Sequence, residues 1–302
     1  MARSTDRGIR SPGDKERAVK LQVEKLLDMP VKDEKYPKIL YRGERLEVFG
    51  CKCSGLVPKY ARQFCQSEGK PQVGEGSLLK DCKNLMDKHL KDIDWWKGVK
   101  DSLSGWDILL LAQHYGLETR FVDWTPDPRV ALWFATHKVL GALKTEQDGD
   151  AVVWICNLKK MCGREKVRWP RRVYVDPDVE DTPFFQKKVP HKTLFYKPPR
   201  NLVARIARVA NQKSVMCRQV FRPKDQEYGR CLMVPLDQNV DFKDAVERVV
   251  ISRFDFKAIQ DELERQLKAG KFADPFPDKD ETHLLSEDLR FLSPRCPWEI
   301  KR

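Results

Sequence analysis

An arginine beside a glycine, Arg42-Gly43, is the first place in the sequence where specific chemistry is expected. It lies near the end of residues 38–44 (KILYRGE), a run that is typical of a short strand. A guanidinium at a strand end can donate two parallel hydrogen bonds to a pyrophosphate or a carboxylate, and a glycine allows the backbone to approach closely. The alternative is a structural arginine that pairs with a buried carboxylate.

A second group of polar residues lies just before and within the segment that links two apolar helical patterns. His114 comes near the end of the first pattern, residues 106–115 (WDILLLAQHY), where the helix dipole favours an imidazolium. Such a histidine can transfer protons or orient a ribose hydroxyl, or it can simply cap the last carbonyls. Further along, Arg120 and Asp123 either line a site or form a buried ion pair. Trp124 either stacks on a nicotinamide or a base, or fills the core.

Arg208 and Gln212 form a third candidate group. On a helix they share one face, whereas in a loop before the strand pattern of residues 214–221 Gln212 would point into a cleft. A glutamine amide cannot act as a general base, and it cannot stabilise an oxocarbenium ion as a carboxylate does. An enzyme would therefore need an acid from elsewhere, with Glu118 and Asp123 as candidates.

The composition indicates a folded protein without a membrane span. Of the 302 residues 41% are hydrophobic, and no apolar run reaches the roughly 18 residues that a span needs. The polar residues 1–16 do not resemble a signal peptide, so a cytoplasmic location with nine reduced cysteines is expected. The cysteine spacing matches no standard zinc site, and no metal is expected. Walker A, GxGxxG, GxSxG and HExxH motifs are absent from the sequence.

The positive charge is concentrated in one part of the chain. Residues 159–224 contain 18 Lys and Arg against 5 Asp and Glu, whereas the whole chain has a net charge of +12. This stretch accounts for all of the excess, which indicates a surface for phosphates, nucleic acid or an acidic protein. The alternative is a solvated basic face without a partner.

Hydrophobic periodicity predicts an α+β fold, with a mixed or antiparallel sheet core and flanking helices. Helices are predicted at residues 16–27, 106–115, 129–140 and 256–267, and strands at 38–44, 150–157, 214–221 and 248–252. Residues 1–16 are expected to form a flexible arm. Residues 17–302 are expected to form one domain, with its core at about 38–290 and a basic insert around 159–200.

Four elements of the sequence resemble the signature of FRG domains. They are Tyr41-Arg42-Gly43, the block 113–125 (QHYGLETRFVDWT) followed by 130–135 (VALWFA), the Arg208-Val209-Ala210-Asn211-Gln212 element, and Phe276-Pro277-Asp278. Because these elements follow one another in the family's order over residues 38 to 290, the chain is identified as similar to FRG-domain proteins.

The order of these elements is also similar to that of ADP-ribosyltransferases, which implies a fold of that type and NAD as a substrate. In that case Arg42 would hold the pyrophosphate, and ADP-ribose would pass to a macromolecule or to water. The resemblance implies catalytic roles for Arg42, His114, Asp123 and Gln212. It implies binding roles for Tyr41, Arg42, Gly43, Gln113, Tyr115, Thr119, Arg120, Trp124, Thr125, Phe134 and Arg208. The alternative is a non-catalytic module that binds a nucleotide or nucleic acid through residues 159–224.

Overall fold

The computed structural model describes residues 12–30, 37–46, 56, 75–117, 119, 121–137, 149–161, 194–198, 200–203, 206–218, 236–237, 242 and 244–277. The helices in this part of the chain are α1 (Pro12–Asp28), α2 (Glu75–Leu90), α3 (Asp94–Val99), α4 (Gly105–His114), α5 (Pro128–Thr136), α6 (Leu158–Met161), α7 (Arg200–Val203), α8 (Ala207–Gln212) and α9 (Phe256–Lys268). The strands are β1 (Ile39–Arg45), β2 (Phe121–Trp124), β3 (Ala151–Asn157), β4 (Leu194–Tyr196), β5 (Val215–Arg218) and β6 (Val246–Ile251). Helices and antiparallel sheets together confirm the predicted α+β class.

The first sheet has the strand order β1-β3-β6, and both strand pairs are antiparallel. The central strand, β3, begins with four successive buried residues, 151–154, which agrees with its unbroken apolar sequence. The register between β1 and β3 sets Arg42 opposite Trp154. Side chains alternate between the two faces of a strand, so Arg42 and Glu44 lie on the same face of β1.

The second sheet has the order β2-β5-β4, again with antiparallel pairs. An isolated antiparallel bridge between Tyr41 and Thr125 connects it to β1 of the first sheet. The backbone N–H of Tyr41 donates to the Thr125 carbonyl at 2.7 Å, and the Thr125 N–H donates to the Tyr41 carbonyl at 2.8 Å. We call this meeting point of the two sheets the junction.

The two sheets enclose an apolar layer, which we call the inter-sheet core. Its members include Leu40, Val122, Trp124, Val152, Trp154, Cys156, Phe195, Val215 and Cys217. Helices α1, α5 and α9 cover the other face of the first sheet. Helices α2, α3, α4, α7 and α8 pack together with Phe121 and Met216 on the other face of the second sheet. Both sheets are therefore covered on two sides, which places the junction inside the protein.

Local capping explains where the central helices begin. Ser104 caps α4 and forms a reciprocal capping box with Asp107. Asp127 accepts from the Arg129 N–H at 3.1 Å, and Pro128 occupies the first position of α5. After α4, Gly116 has a φ of 104°, a conformation that glycine adopts readily and that ends the helix.

Several boundaries differ from the predicted ones. Helix α1 begins at Pro12, before the expected start at residue 16, because proline is accepted in a first helical turn. Helix α5 ends at Thr136, since the next residue, His137, has an extended backbone. Helix α2, which is 16 residues long, was not among the helices whose bounds were predicted from the sequence. Its signal is the helical spacing of four buried residues, Leu79, Cys82, Met86 and Leu90.

Candidate functional site

Arg42 lies on β1 at the junction, where its guanidinium bonds to both sheets. Its Nη1 donates to the backbone carbonyl of Asp123 on β2 at 3.0 Å, and its Nη2 donates to Glu44 Oε2 at 3.2 Å. Trp154 Nε1 donates to the other carboxylate oxygen, Glu44 Oε1, at 2.7 Å. The Arg42 and Glu44 side chains are only 15% and 9% exposed. Arg42 is thus paired with a buried carboxylate, the alternative that its position in the sequence left open.

Glu44 was not among the site residues predicted from the sequence. The signal that could have found it is its spacing from Arg42, because residues two apart on a strand project from the same face. The pair brings one positive and one negative charge to the inter-sheet core. The net charge of the Arg42–Glu44 pair is therefore close to zero, although each side chain is strongly polar.

Two buried donors at the junction have no acceptor among the residues that the structure describes. Arg42 Nε and Trp124 Nε1 are both shielded from solvent and make no hydrogen bond within the described part of the chain. Continuing the antiparallel bridge of Tyr41 and Thr125 by one residue places Arg42 beside Trp124. Trp124 fills the core, which was one of its two predicted roles, but its indole N–H has no acceptor within the described ranges.

Gly43 faces the other side of β1, toward α5. A Cβ on Gly43 would lie 1.7 Å from the carbonyl oxygen of Ala131 and 2.9 Å from the backbone nitrogen of Ala135. The close approach expected at this glycine is therefore present, but a helix of the protein makes it on this face, in place of a pyrophosphate. Ala131 and Ala135 lie one turn apart on α5, and their small side chains suit this contact.

His114 lies at the end of α4 and is buried, as is the C-cap residue Tyr115. Burial, together with the positive charge of Arg208, lowers the pKa of His114 to about 3. The imidazole is consequently neutral at neutral pH, which contradicts the imidazolium that the helix dipole favours, because loss of hydration outweighs the dipole here. The Nε2 atom of His114 is buried and has no hydrogen-bond partner among the described residues.

The turn from α4 to β2 is held by two residues of the predicted site. The Thr119 hydroxyl donates to Gln113 Oε1, and it accepts from the backbone N–H of Phe121 at 3.1 Å. Gln113 Nε2 contacts Met216 Sδ at 4.0 Å. These contacts fix the start of β2 against α4 and β5.

Tyr41 and Thr125 have side-chain partners in addition to their backbone bridge. The Tyr41 hydroxyl donates to Met29 Sδ at 2.8 Å, and Thr125 Oγ1 accepts from the Asp127 N–H at 3.1 Å. Burial, and to a smaller extent the charge of Asp127, raises the pKa of Tyr41 above its usual value. The phenol is therefore protonated at neutral pH and serves as a hydrogen-bond donor.

A buried ion pair at the start of α5 was not singled out from the sequence. Arg129 Nε and Nη2 donate to Asp127 Oδ1 and Oδ2, each at 2.9 Å. Arg129 Nη1 donates to the carbonyl of Lys271 at 2.6 Å. The signal was the Asp-Pro-Arg sequence, since an acidic N-cap and a basic residue two positions later are close in space. The pair attaches the start of α5 to the chain that follows α9.

Residues 271–277, which we call the C-terminal strap, also bind α8. Asn211 Nδ2 donates to the carbonyl of Asp274 at 2.8 Å, and Gln212 Nε2 donates to the carbonyl of Pro275 at 2.9 Å. Because residues 207–212 are helical, the structure selects the helix alternative for this element. The amide of Gln212 is buried and holds the strap.

Aromatic stacking strengthens the attachment of the strap. The Phe276 ring lies 5.4 Å from the ring of Phe134, and the Arg208 guanidinium carbon lies 4.5 Å from the Phe276 centroid. Three of the elements that carry the FRG resemblance, on α5, on α8 and in the strap, therefore contact one another.

We expect Gln212→Ala to lower the free energy of unfolding by about 1–2 kcal/mol, because the buried carbonyl of Pro275 loses its donor. Urea unfolding followed by circular dichroism measures the change. Gln22→Ala, at an exposed position of α1, is the matched control and should change stability little. Equal stability of the two variants would show that the strap bond contributes nothing.

The contacts divide the predicted site residues into three groups. At the junction are Tyr41, Arg42, Trp124 and Thr125, with the carbonyl of Asp123. Beside the second sheet are Gln113, His114, Tyr115 and Thr119, and at the strap are Phe134, Arg208 and Gln212. The second and third groups interact electrostatically, because the positive charge of Arg208 contributes to the lowered pKa of His114. Glu118, Arg120 and most of the basic stretch lie outside the described residues.

The family model of the FRG domain matches residues 37–142. The match confirms the FRG resemblance for residues 37–142, whereas the elements at 208–212 and 276–278 lie outside the matched region. The match includes β1, β2 and α5, and hence the junction, whereas β3 to β6 follow it. Comparison with curated proteins and with solved structures gave no match. Within the described part of the chain, no helix combines the length and apolar character needed to cross a membrane.

Proposed function

Because residues 37–142 are an FRG domain, we propose that the chain binds NAD through this domain and transfers ADP-ribose to a macromolecule or to water. The observation that supports this function best is the buried polar group at the junction, which consists of Arg42, Glu44 and Trp124. It combines unsatisfied donors with a carboxylate in a place that is shielded from bulk water.

The unsatisfied donors favour a binding site at the junction. Buried polar groups in folded proteins nearly always have a partner, and leaving one unpaired costs about 1–3 kcal/mol. Arg42 Nε and Trp124 Nε1 would recover this free energy when a ligand supplies an oxygen acceptor. NAD carries such acceptors on its amide, ribose and phosphate groups.

The carboxylate of Glu44 suits the reaction. When the bond between the nicotinamide nitrogen and the ribose carbon breaks, its electron pair leaves with nicotinamide, and positive charge develops on the ribose. A water or target oxygen then bonds to that carbon and loses its proton. A nearby carboxylate stabilises the developing charge, which a glutamine amide cannot do. We assign this role to Glu44 because the Gln212 amide is bound to the strap.

The other candidate residues shape the pocket in this proposal. Trp124 and Thr125, which lie at the junction, would line the nicotinamide end of the pocket. His114 lies in the group beside the second sheet, where its pKa of about 3 keeps it neutral, so it is not assigned a contact at the junction. Asp123, on β2, would be a second acid besides Glu44 on β1.

The target is proposed from charge. Residues 159–224 carry a net charge of +13, which would attract a nucleic acid or an acidic protein surface. Electrostatic attraction of this kind raises association rates and weakens with added salt.

Arg42→Lys tests the proposal, because lysine preserves the charge beside Glu44 but lacks the Nε donor and the planar fork of arginine. Calorimetric titration of the unchanged chain with NAD should show saturable binding, followed by release of nicotinamide on incubation. We expect Arg42→Lys to weaken NAD binding about tenfold or more, equivalent to ~1.4 kcal/mol. Arg265→Lys, an exposed arginine on α9, is the matched control and should bind normally.

Failure to bind millimolar NAD would refute this function, as would unchanged binding by a folded Arg42→Lys variant. The alternative would then be a non-catalytic module that binds a nucleotide or nucleic acid through residues 159–224. In that case affinity for single- or double-stranded DNA or RNA should fall steeply with salt, since each neutralised phosphate releases about one counterion.

A further inference from the structure

We propose that the paired donors of Arg42 and Trp124 bind one uncharged carbonyl oxygen, that of the nicotinamide carboxamide, and do not bind the pyrophosphate. This assignment rests on the proposed NAD function, because it specifies which end of the substrate enters the junction. It reverses the role that the resemblance to ADP-ribosyltransferases implies for Arg42.

Charge is the first reason. Glu44 already pairs with Arg42 at 3.2 Å, and both side chains are largely buried. A pyrophosphate at this point would bring further negative charge beside the Glu44 carboxylate in a medium of low dielectric constant. An uncharged acceptor avoids this repulsion and still satisfies the two donors.

Hydrogen-bonding capacity is the second reason. The two terminal nitrogens of Arg42 each donate one hydrogen bond, to the Asp123 carbonyl and to Glu44, and Nε is the guanidinium nitrogen that has no partner among the described residues. Trp124 adds one more N–H. A carbonyl oxygen has two lone pairs, so one such atom can accept from both donors at once. A bidentate contact to a phosphate would have to use a terminal nitrogen that already donates to the Asp123 carbonyl or to Glu44.

The surroundings are the third reason. The layer on which Arg42 and Trp124 lie is apolar, and it includes Val122, Val152 and Cys217. Burial raises the pKa of the Cys217 thiol well above its usual value, so it too is uncharged at neutral pH. A planar, largely apolar ring with one carbonyl matches such a layer better than a phosphate chain does.

The assignment also agrees with the chemistry proposed for Glu44. Nicotinamide is attached to the ribose carbon at which positive charge develops. With the carboxamide bound by Arg42 and Trp124, that carbon would lie on the side of the junction where Glu44 is held by Trp154. One binding mode thus positions the leaving group and the stabilising acid together.

The indole N–H resonance of Trp124 provides a direct test. In a two-dimensional ¹⁵N–¹H spectrum of the full chain the eight tryptophans give separate indole signals, and Trp124→Phe identifies the relevant one. We expect this signal to move downfield on addition of nicotinamide, because the N–H gains an acceptor. Nicotinic acid, which has the same ring with a carboxylate, should leave it unchanged because Glu44 repels that charge.

Affinity measurements extend the test. Trp124→Phe keeps an aromatic ring but removes the donor, and we expect it to weaken nicotinamide binding about fivefold, the effect of one lost hydrogen bond. ADP-ribose, which lacks nicotinamide, should bind Trp124→Phe and the unchanged chain equally. Trp95→Phe, in the helical layer on the other side of the second sheet, is the matched control.

The outcomes separate this inference from the proposed function. An unshifted Trp124 signal, equal binding of nicotinic acid, or ADP-ribose affinity that falls in Arg42→Lys would overturn the carboxamide assignment, even if NAD is cleaved. A shifted signal with selective loss of nicotinamide binding would support it, even if the chain proves unable to cleave NAD. If Trp124→Phe does not fold, the nicotinamide and nicotinic acid titrations of the unchanged chain still decide the question.

Discussion

Replacing Gly43 with alanine is expected to destabilise the protein by about 3 kcal/mol or more, which is a large part of the stability of a typical domain. The added Cβ would lie 1.7 Å from the carbonyl oxygen of Ala131 and 2.9 Å from the backbone nitrogen of Ala135. Both atoms belong to the backbone of α5, so no side-chain rotation can relieve the overlap. Helix α5 would have to move away from β1 and lose its packing.

Urea unfolding measures this change, and Gly270→Ala serves as its control. At Gly270 an added Cβ would have nothing within 4 Å, but the φ of +69° makes alanine unfavourable there by about 1 kcal/mol. The two variants therefore separate steric overlap from backbone conformation. Equal destabilisation of both would show that β1 and α5 can move apart at little cost.

A fragment that contains only residues 37–142, the part matched by the FRG family, is expected not to fold. Strand β1 would lose its neighbour β3, and β2 would lose β5, because both partners lie later in the chain. The inter-sheet core would lose Val152, Trp154 and Cys217 as well. Unpaired strands with exposed apolar faces are not stable in water.

Circular dichroism and one-dimensional NMR of the fragment, compared with the full chain, test this expectation. The full chain should show dispersed methyl signals and a cooperative urea transition, and the fragment should show neither. A cooperative transition in the fragment would mean that the matched region is an independent folding unit, and that the later strands are added to it.

The sequence was most informative where a local signal determines structure. The apolar residues of α4, its stop at Gly116 and the proline after Asp127 identify the central helices without further information. The strands β1, β3 and β6 were predicted because each contains a continuous or alternating apolar run. In each case the residues that decide the structure are neighbours in the chain.

Features that depend on distant partners were not predictable in the same way. Strand β2 has four residues, and its pairing with β5 depends on a segment more than 90 residues away. The sequence predicted a close approach at Gly43, but not that α5 makes it. The helix-dipole argument for His114 failed because it considered the local helix and not the burial supplied by other elements.

In the candidate site, too, residues with a local sequence signal were predicted, and contacts with distant partners were not. Arg42, Trp124 and Thr125 were predicted from their motif, and the structure brings them together at the junction. Glu44 was missed although its position on the strand was available from the sequence. Gln212 was considered for a cleft, but its contact with Pro275 could not be foreseen because the strap is about 60 residues away along the chain.

The chain order of the paired strands has a consequence for synthesis on the ribosome. Glu44 on β1 and its partner Trp154 on β3 are 110 residues apart, which corresponds to about 5–20 s of translation. During this interval β1 has been made but its partner β3 has not, and the apolar α4 is completed before β3 begins. The nascent chain therefore presents apolar surfaces to its surroundings for many seconds. Chaperone supply and translation speed should consequently govern how much of it reaches the native state.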